Sequence, residues 1–327
     1  MCREVARLRT VDKINPLPGV PLVESPFFER LFAPLSLDHE ARRIAADLRE
    51  HGYAVLDFPE PEFDRISAEL KRKFVPDGQA WDGISDLRVQ DAWRFDANVK
   101  RIATNQKILD LLETLYGRPA FPFQTLNFPV GSQQRIHSDN VHFSSVPDGF
   151  MCGVWVALED VDADNGPLVY YPGSHKWPNY FNEHIGVNCR HLPAPGTHYR
   201  DYENLWSELA ELYKATPERF FARKGQALIW LAHLWHGGDR HRDVTRTRHS
   251  QVTHYFFERC CYYTPMHSEP FSGIIQFREV ENIATGAMMP NILSGHRVPK
   301  SFMAQRRLIN FLHHLKVRFL RRARWGA

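Results

Sequence analysis

The sequence contains no apolar run of about 18 residues, so no segment reads as a membrane-spanning helix. Its opening, MCREVARLRT, is charged and lacks the apolar stretch of a secretory signal, so a cytoplasmic location is expected. Cysteine is scarce. Cys2, Cys152, Cys189, Cys260 and Cys261 are odd in number and lack CxxC spacing, which argues against a disulfide framework and against a thiolate metal site. None sits in a context that would activate a catalytic thiol. Internal repeats and low-complexity tracts are also missing. One stretch lacks acid altogether: Arg297 to Ala327 holds nine Lys/Arg and no Asp or Glu. Taking those nine from the 41 basic residues leaves 32 against 38 acidic ones, so residues 1–296 carry about −6. Such a body offers no continuing basic track, and nucleic acid is not an expected partner.

What is present is the composition of a globular chain. At 327 residues and 43% hydrophobic, it can bury a sizeable core. Residues 1–36 are Pro-rich (PLPGVPLVESPFF) and predict an extended arm over the body. Ala41, Ile44, Ala45 and Leu48 recur at helical spacing, predicting a helix over about 37–50 that stops at His51-Gly52. Tyr53 to Phe58 alternates as a strand, and helices are expected near 61–74 and 105–116.

From Phe121 the pattern changes to short β-prone segments between turns: FPFQTLNF, QQRIH, FMCGVWVALED, PLVYYPG, RFFARKG, QALIWLA and SQVTHYFFE. That pattern predicts a barrel or jelly roll over about 121–258, behind an N-terminal helical layer. A Trp/Tyr/His-rich insert at about 174–216 is too long for a hairpin turn and is expected to form a lid or wall. The expected organisation is an arm (1–36), one domain (37–296) and a basic tail (297–327). In the tail Leu308, Leu312, Leu315 and Phe319 form an amphipathic stripe suited to an anionic membrane surface, an acidic partner or the chain's own body.

The residues that carry chemistry lie in Arg135-Ile136-His137-Ser138-Asp139. On a strand, positions i and i+2 share a face, so His137 and Asp139 can offer an imidazole and a carboxylate to one metal. His236, in LWHGG, is the candidate third ligand. Two histidines and a carboxylate on one face of an octahedron leave three positions open, which suits iron(II) with a 2-oxo acid and dioxygen. The distal carboxylate of 2-oxoglutarate needs a cation, best a bidentate Arg, and Arg248 opens an alternating strand after His236, with Arg246 in reserve. His142 and His233 fall out of phase with the ligand positions and read as core or supporting groups. His175 and Lys176 border the insert, as solvated loop residues or substrate contacts.

Together these residues are familiar. From about Gly52 to Phe257 the chain resembles the phytanoyl-CoA dioxygenase family of iron(II)/2-oxoglutarate oxygenases. The likeness rests on HGYAVLDF, HSD, GVWVALEDVDADNGPLVYYPGSHK, KGQALIWLAHLWHGG and the Arg before a strand ending HYF, in that order. It implies a mainly β double-stranded β-helix (jelly-roll, cupin-like) core. It implies that His137, Asp139 and His236 hold the metal, that Arg248 anchors 2-oxoglutarate, and that Trp155 and Leu126 line the co-substrate pocket. The implied reaction is hydroxylation of an unactivated C–H bond, in a small-molecule or lipid- or carrier-linked substrate, with release of succinate and carbon dioxide. Halogenases of this architecture carry a small residue at the carboxylate position, so Asp139 favours hydroxylation, or a related desaturation or epimerisation. The rival readings are a zinc hydrolase or isomerase on the same triad, and a catalytically inactive binding protein.

Overall fold

The computed structural model of the protein describes residues 13–75, 81–84, 87–189 and 196–325, with side chains 313–314 and 316–325 left aside. The strands that matter are β1 (Tyr53–Asp57), β2 (Val89–Gln90), β3 (Ala120–Phe128), β4 (Ser144–Val146), β5 (Met151–Ala157) and β6 (Leu168–Tyr170). They continue with β7 (Glu218–Phe220), β8 (Gln226–Leu231), β9 (His236–Gly238), β10 (Ser250–Phe257) and β11 (Cys261–Tyr263). An antiparallel sheet runs β1-β8-β5-β10-β3-β2, and a smaller one runs β7-β6-β9.

Side-chain alternation assigns the two faces of the large sheet. Val154, Val156, Ile229 and Leu231 join one core, whereas Trp155, Ala157, Leu228 and Trp230 join another with Leu168, Tyr170 and Phe220 of the small sheet. The first core is covered by helices α1 (Phe28–Phe32), α2 (His39–His51), α3 (Phe63–Lys73), α4 (Ala97–Ala103) and α5 (Gln106–Tyr116). The protein is thus mainly sheet with a helical layer on one side.

Local chemistry explains the helix ends. Asp38 accepts a hydrogen bond from the Ala41 N–H at 2.8 Å and starts α2, while Gly52 ends it at φ +83°. A side chain at Gly52 would also strike the His175 ring, at 2.4 Å from its Cβ, so this glycine serves both the cap and the packing. Helices α3 and α5 fall within two residues of their expected positions.

Three expectations change. The described part of the supposed N-terminal arm is folded: Leu22, Val23, Phe28, Leu31 and Phe32 are buried in the helix-side core, because apolar residues outnumber what an exposed PPII segment tolerates. QQRIH is not a strand. It meets β9 through an isolated bridge from His137 to His236 and a Gly238 N–H to Gln134 O bond, and Asp139 opens a 3-10 turn over Asp139–Val141. Finally, His175 and Lys176 brace α2 from outside, through the Arg49 carbonyl and the Glu50 carboxylate.

The insert supplies helix α6 (Tyr199–Leu212), whose Tyr202, Trp206 and Leu209 pack on Val141, Trp235 and Met266 and form a wall. Helix α7 (Lys300–Trp325) docks its first turns through Met303, Phe302 and an Arg307–Glu279 ion pair of 2.6 Å. Leu308, Phe311, Leu312 and Leu315 on it are exposed, and the Phe319 side chain lies outside the described residues. Among the described residues no helix is long and apolar enough to cross a membrane. Cys152, Cys189, Cys260 and Cys261 are buried and unbridged; Cys2 lies outside the described residues.

Phe256 is fully buried and stacks on Phe123 at 4.2 Å and near Tyr262 at 4.7 Å. Phe256→Ala is therefore expected to cost about 3–5 kcal/mol. Denaturant unfolding checks this: the midpoint should fall with an unchanged slope.

Candidate metal centre

The cavity lies between the two sheets. Its walls bring together residues from β3, β5, β8, β9 and β10, and it has a volume of about 310 Å³. What sets its floor is a pair of reciprocal backbone hydrogen bonds, His137 N–H to His236 O and His236 N–H to His137 O, each 2.9 Å. A third, Gly238 N–H to Gln134 O at 2.9 Å, extends the pairing. Cβ atoms on Gly237 and Gly238 would stand 2.7 Å from the Gln134 carbonyl oxygen and 2.6 Å from Ser132 Oγ. The two glycines after His236 let the His137 segment lie this close.

Within that frame His137, Asp139 and His236 converge, with one donor atom from each inside a 4.8 Å span; all three are buried. His137 Nε2 stands 3.8 Å from Asp139 Oδ1, and His236 Nε2 3.7 Å from Asp139 Oδ2. Each imidazole donates from Nδ1 to a carbonyl two residues earlier, Arg135 O at 2.9 Å and Leu234 O at 3.0 Å. That fixes the tautomer and leaves both Nε2 lone pairs facing the carboxylate, the orientation a metal ligand requires. Burial, with the neighbouring His236, pushes His137 down to about 3, so it is neutral and ready to ligate. Burial would raise the Asp139 carboxyl, but His236 and His254 outweigh it and hold it ionised. Among the described residues no other such cluster of His, Cys and carboxylate exists.

The large sheet holds Asp139 from above. Trp230 Nε1 donates to Asp139 Oδ2 at 2.8 Å, and His254 Nε2 stands 3.6 Å from the same oxygen. His254 is set in turn by Gln124 Oε1 at 2.9 Å from its Nδ1. Room for the indole comes from Gly153, where a Cβ would sit 2.1 Å from the Trp230 ring.

Arg248 lies at the inner end of the same cavity. It is 3% exposed, its Nη1 donates to Ser250 Oγ, and its Nε is buried without a partner. Its guanidinium stands 5.6 Å from Trp155 and 5.7 Å from Phe128. Burial pushes it down to about 10, against the pull of Glu159. Trp155 and Leu126 line this end too, and Val252 of β10 pairs across to both. Arg246 instead forms a bidentate surface pair with Asp162, both contacts 2.9 Å, and is outside the cavity.

Other histidines separate by contact. His142 lines the cavity, with its ring 4.9 Å from Tyr199. His233 faces away, 3.1 Å from Asp148. His241 accepts from the Gly131 N–H and braces a loop. Sequence reasoning gave no role to Trp230, Tyr199 or Gln124, and read His142 as a core or supporting group. Strand alternation could have found Trp230, two positions from Leu228 on the inward face. Nothing local marks Tyr199, which arrives on α6 from the insert.

The comparisons agree with this geometry. The profile of the family described as Phytanoyl-CoA dioxygenase (PhyH) matches residues 43–249. Peroxisomal phytanoyl-CoA dioxygenase of Bos taurus is 28% identical over 115 residues, 33% of this chain and 32% of its own length. Phytanoyl-CoA dioxygenase domain-containing protein 1 of Mus musculus is 29% identical over 121 residues, 36% of this chain and 37% of its own. The chain thus spans about a third of the length of these curated relatives. The epimerase SnoN, solved with Fe3+, alpha ketoglutarate and nogalamycin RO, superposes with a TM-score of 0.53 at 21% identity, covering 73% of this chain and 94% of SnoN. EctD from S. alaskensis, solved with 2-oxoglutarate and 5-hydroxyectoine, gives 0.50 at 18% identity, covering 72% and 80%. These two share the fold.

The Trp230 clamp generates a prediction. Trp230→Phe, which removes only the donor, should weaken iron(II) binding about 10–100-fold by titration, as loss of an outer hydrogen bond does. Gly153→Ala should do at least as much, because the indole must move off Asp139. Unchanged metal affinity in both would reject the clamp.

With the two histidines, the carboxylate and the ordered motifs on one frame, and the profile covering most of the chain, the protein belongs to the phytanoyl-CoA dioxygenase (PhyH) family.

Proposed function

We propose that this chain is an iron(II)- and 2-oxoglutarate-dependent dioxygenase on a double-stranded β-helix core, hydroxylating an unactivated C–H bond of a small-molecule or carrier-linked substrate. One observation carries the reading. The convergent His137, Asp139 and His236 share a cavity with a buried Arg248 whose Nε has no protein partner. A metal triad alone suits hydrolysis as well; a desolvated guanidinium at the far end has a use only if an anion is held between.

The residues fit the group they would hold. His137 and His236 offer neutral Nε2 atoms and Asp139 an ionised oxygen, a donor set that suits iron(II) and leaves adjacent positions open. Bound together, iron(II), 2-oxoglutarate and dioxygen supply an oxidant strong enough for an unactivated C–H bond, with succinate and carbon dioxide as by-products. Arg248 receives the distal carboxylate of the co-substrate. Leu126 and Trp155 enclose its carbon chain and keep water out, which strengthens the charge pairing. Trp230 and His254 keep Asp139 turned toward the histidines. Because Asp139 fills the position a halide would need, hydroxylation is favoured over halogenation.

SnoN, solved with Fe3+ and alpha ketoglutarate, and EctD, solved with 2-oxoglutarate, share this fold and support the reading. Anaerobic addition of iron(II) and 2-oxoglutarate should give a weak visible charge-transfer band; its absence would reject the proposal. Arg248→Met should raise the 2-oxoglutarate Kd at least about thirtyfold, since truncating one partner of a buried charge pair costs about 2–5 kcal/mol. Arg246→Ala should leave that Kd within twofold. Asp139→Ala should abolish succinate release, and full retention of it would dismiss the ligand assignment.

A further inference from the structure

A second guanidinium, partly buried, lines a cavity beside the metal centre. Arg278 is held by its backbone, with its N–H on the Tyr262 carbonyl at 2.9 Å and its carbonyl on Asn291 Nδ2 at 3.0 Å. Its side chain runs inward over the Phe143 ring at 4.7 Å and towards Phe123 at 6.0 Å. Nη1 donates to Thr264 Oγ1 at 3.1 Å, and Nε is buried without a partner.

Among the described residues Arg278 has no carboxylate at ion-pair distance, and the nearby acids are engaged. Asp91, whose charge it feels, accepts from the Trp93 indole and the Thr125 N–H; Glu279 is paired with Arg307. Partial burial pushes the guanidinium down to about 10, against the pull of Asp91. Such a cation costs stability unless something occupies the space before it.

That space adjoins the proposed active site. His142 and Phe143 line the metal cavity and also line an adjoining one with Arg278, Thr264 and Gln276. His142 feels the charges of both Arg278 and Arg88, the latter on the rim of the metal cavity. Phe143 in turn lies 5.1 Å from the ring of His254, which stands beside Asp139. At about 310 Å³ the metal cavity is at the small end of ligand pockets, and 2-oxoglutarate would take up part of it. A substrate reaching the metal therefore extends past His142 and Phe143 into the second cavity.

We infer that the substrate carries an anionic group, a carboxylate or a phosphate, which Arg278 receives while the C–H bond to be oxidised lies at the metal centre. Arg278 is thus a specificity residue, separate from the co-substrate anchor Arg248. The inference rests on the oxygenase reading above. A neutral substrate would leave a desolvated cation in place through every turnover, a cost that the two other aromatic contacts do not remove.

The test uses the full-length protein loaded anaerobically with iron(II) and 2-oxoglutarate. A panel of small carboxylates and phosphates, each paired with its neutral methyl ester or dephosphorylated form, is scored by thermal shift and then by stimulated succinate release. At least one anionic member should stabilise and stimulate while its neutral counterpart does neither; which half of the panel responds separates carboxylate from phosphate. Arg278→Gln should weaken that response at least about thirtyfold in the half-saturating concentration, and Arg278→Lys should restore part of it. The charge-transfer band, read first in each variant, reports that the metal and co-substrate site is intact. Its loss in the unaltered protein counts against the oxygenase reading; a normal band with no anionic responder overturns this inference alone. Neutral members that respond as well as the acids, or a response unaltered in Arg278→Gln, overturn it as well.

Discussion

The site depends on one short contact between backbones, the reciprocal hydrogen bonds between His137 and His236. These residues are 99 positions apart, and neither belongs to a long strand at the point of contact. The pairing brings two imidazoles within 4.3 Å of one another and aims both Nε2 atoms at Asp139. It is possible because Gly237 and Gly238 have no Cβ to collide with the opposing segment. The two glycines after His236 are therefore a steric condition of this convergence, and any side chain there would separate the histidines it unites.

Around that contact the two sheets divide the labour. The small sheet and its bridged segment carry His137, Asp139 and His236. The large sheet carries the groups that set them: Trp230 from β8 and His254 from β10 on Asp139, with Gly153 of β5 giving the indole its room. A carboxylate gripped on one oxygen by a neutral donor keeps its direction without losing its charge, which is what a ligand to a hard divalent cation needs.

Charge is distributed in the cavity with the same economy. Asp139 lies among the histidines, the buried Arg248 lines the same cavity and the partly buried Arg278 lines the adjoining one, and among the described residues neither guanidinium has a carboxylate at ion-pair distance. Buried charges are tolerated when a partner is supplied, and the proposed function takes that partner from solution. Arg246, two residues from Arg248 and with the same chemistry, is neutralised at the surface by Asp162, and that contact separates the two environments.

Much of this was legible in residue order. The helical spacing of Ile44 and Leu48, the glycine stops at Gly52 and Gly117, the alternation in GVWVALED and SQVTHYFF, and the HxD and HGG motifs are local signals, because turn and strand periodicities act over a few residues. They determined the helical layer, the β-rich core, the pairing of His137 with Asp139, and an arginine ahead of β10. What only the tertiary structure decided concerns residues distant in sequence: Arg248 in the cavity and Arg246 on Asp162, Trp230 and His254 on Asp139, Tyr199 arriving on α6, and Arg278 behind Phe143. Those depend on register between strands and on which side chain finds its counter-charge first. Such outcomes are set by packing across the whole fold, and no short window of sequence contains them.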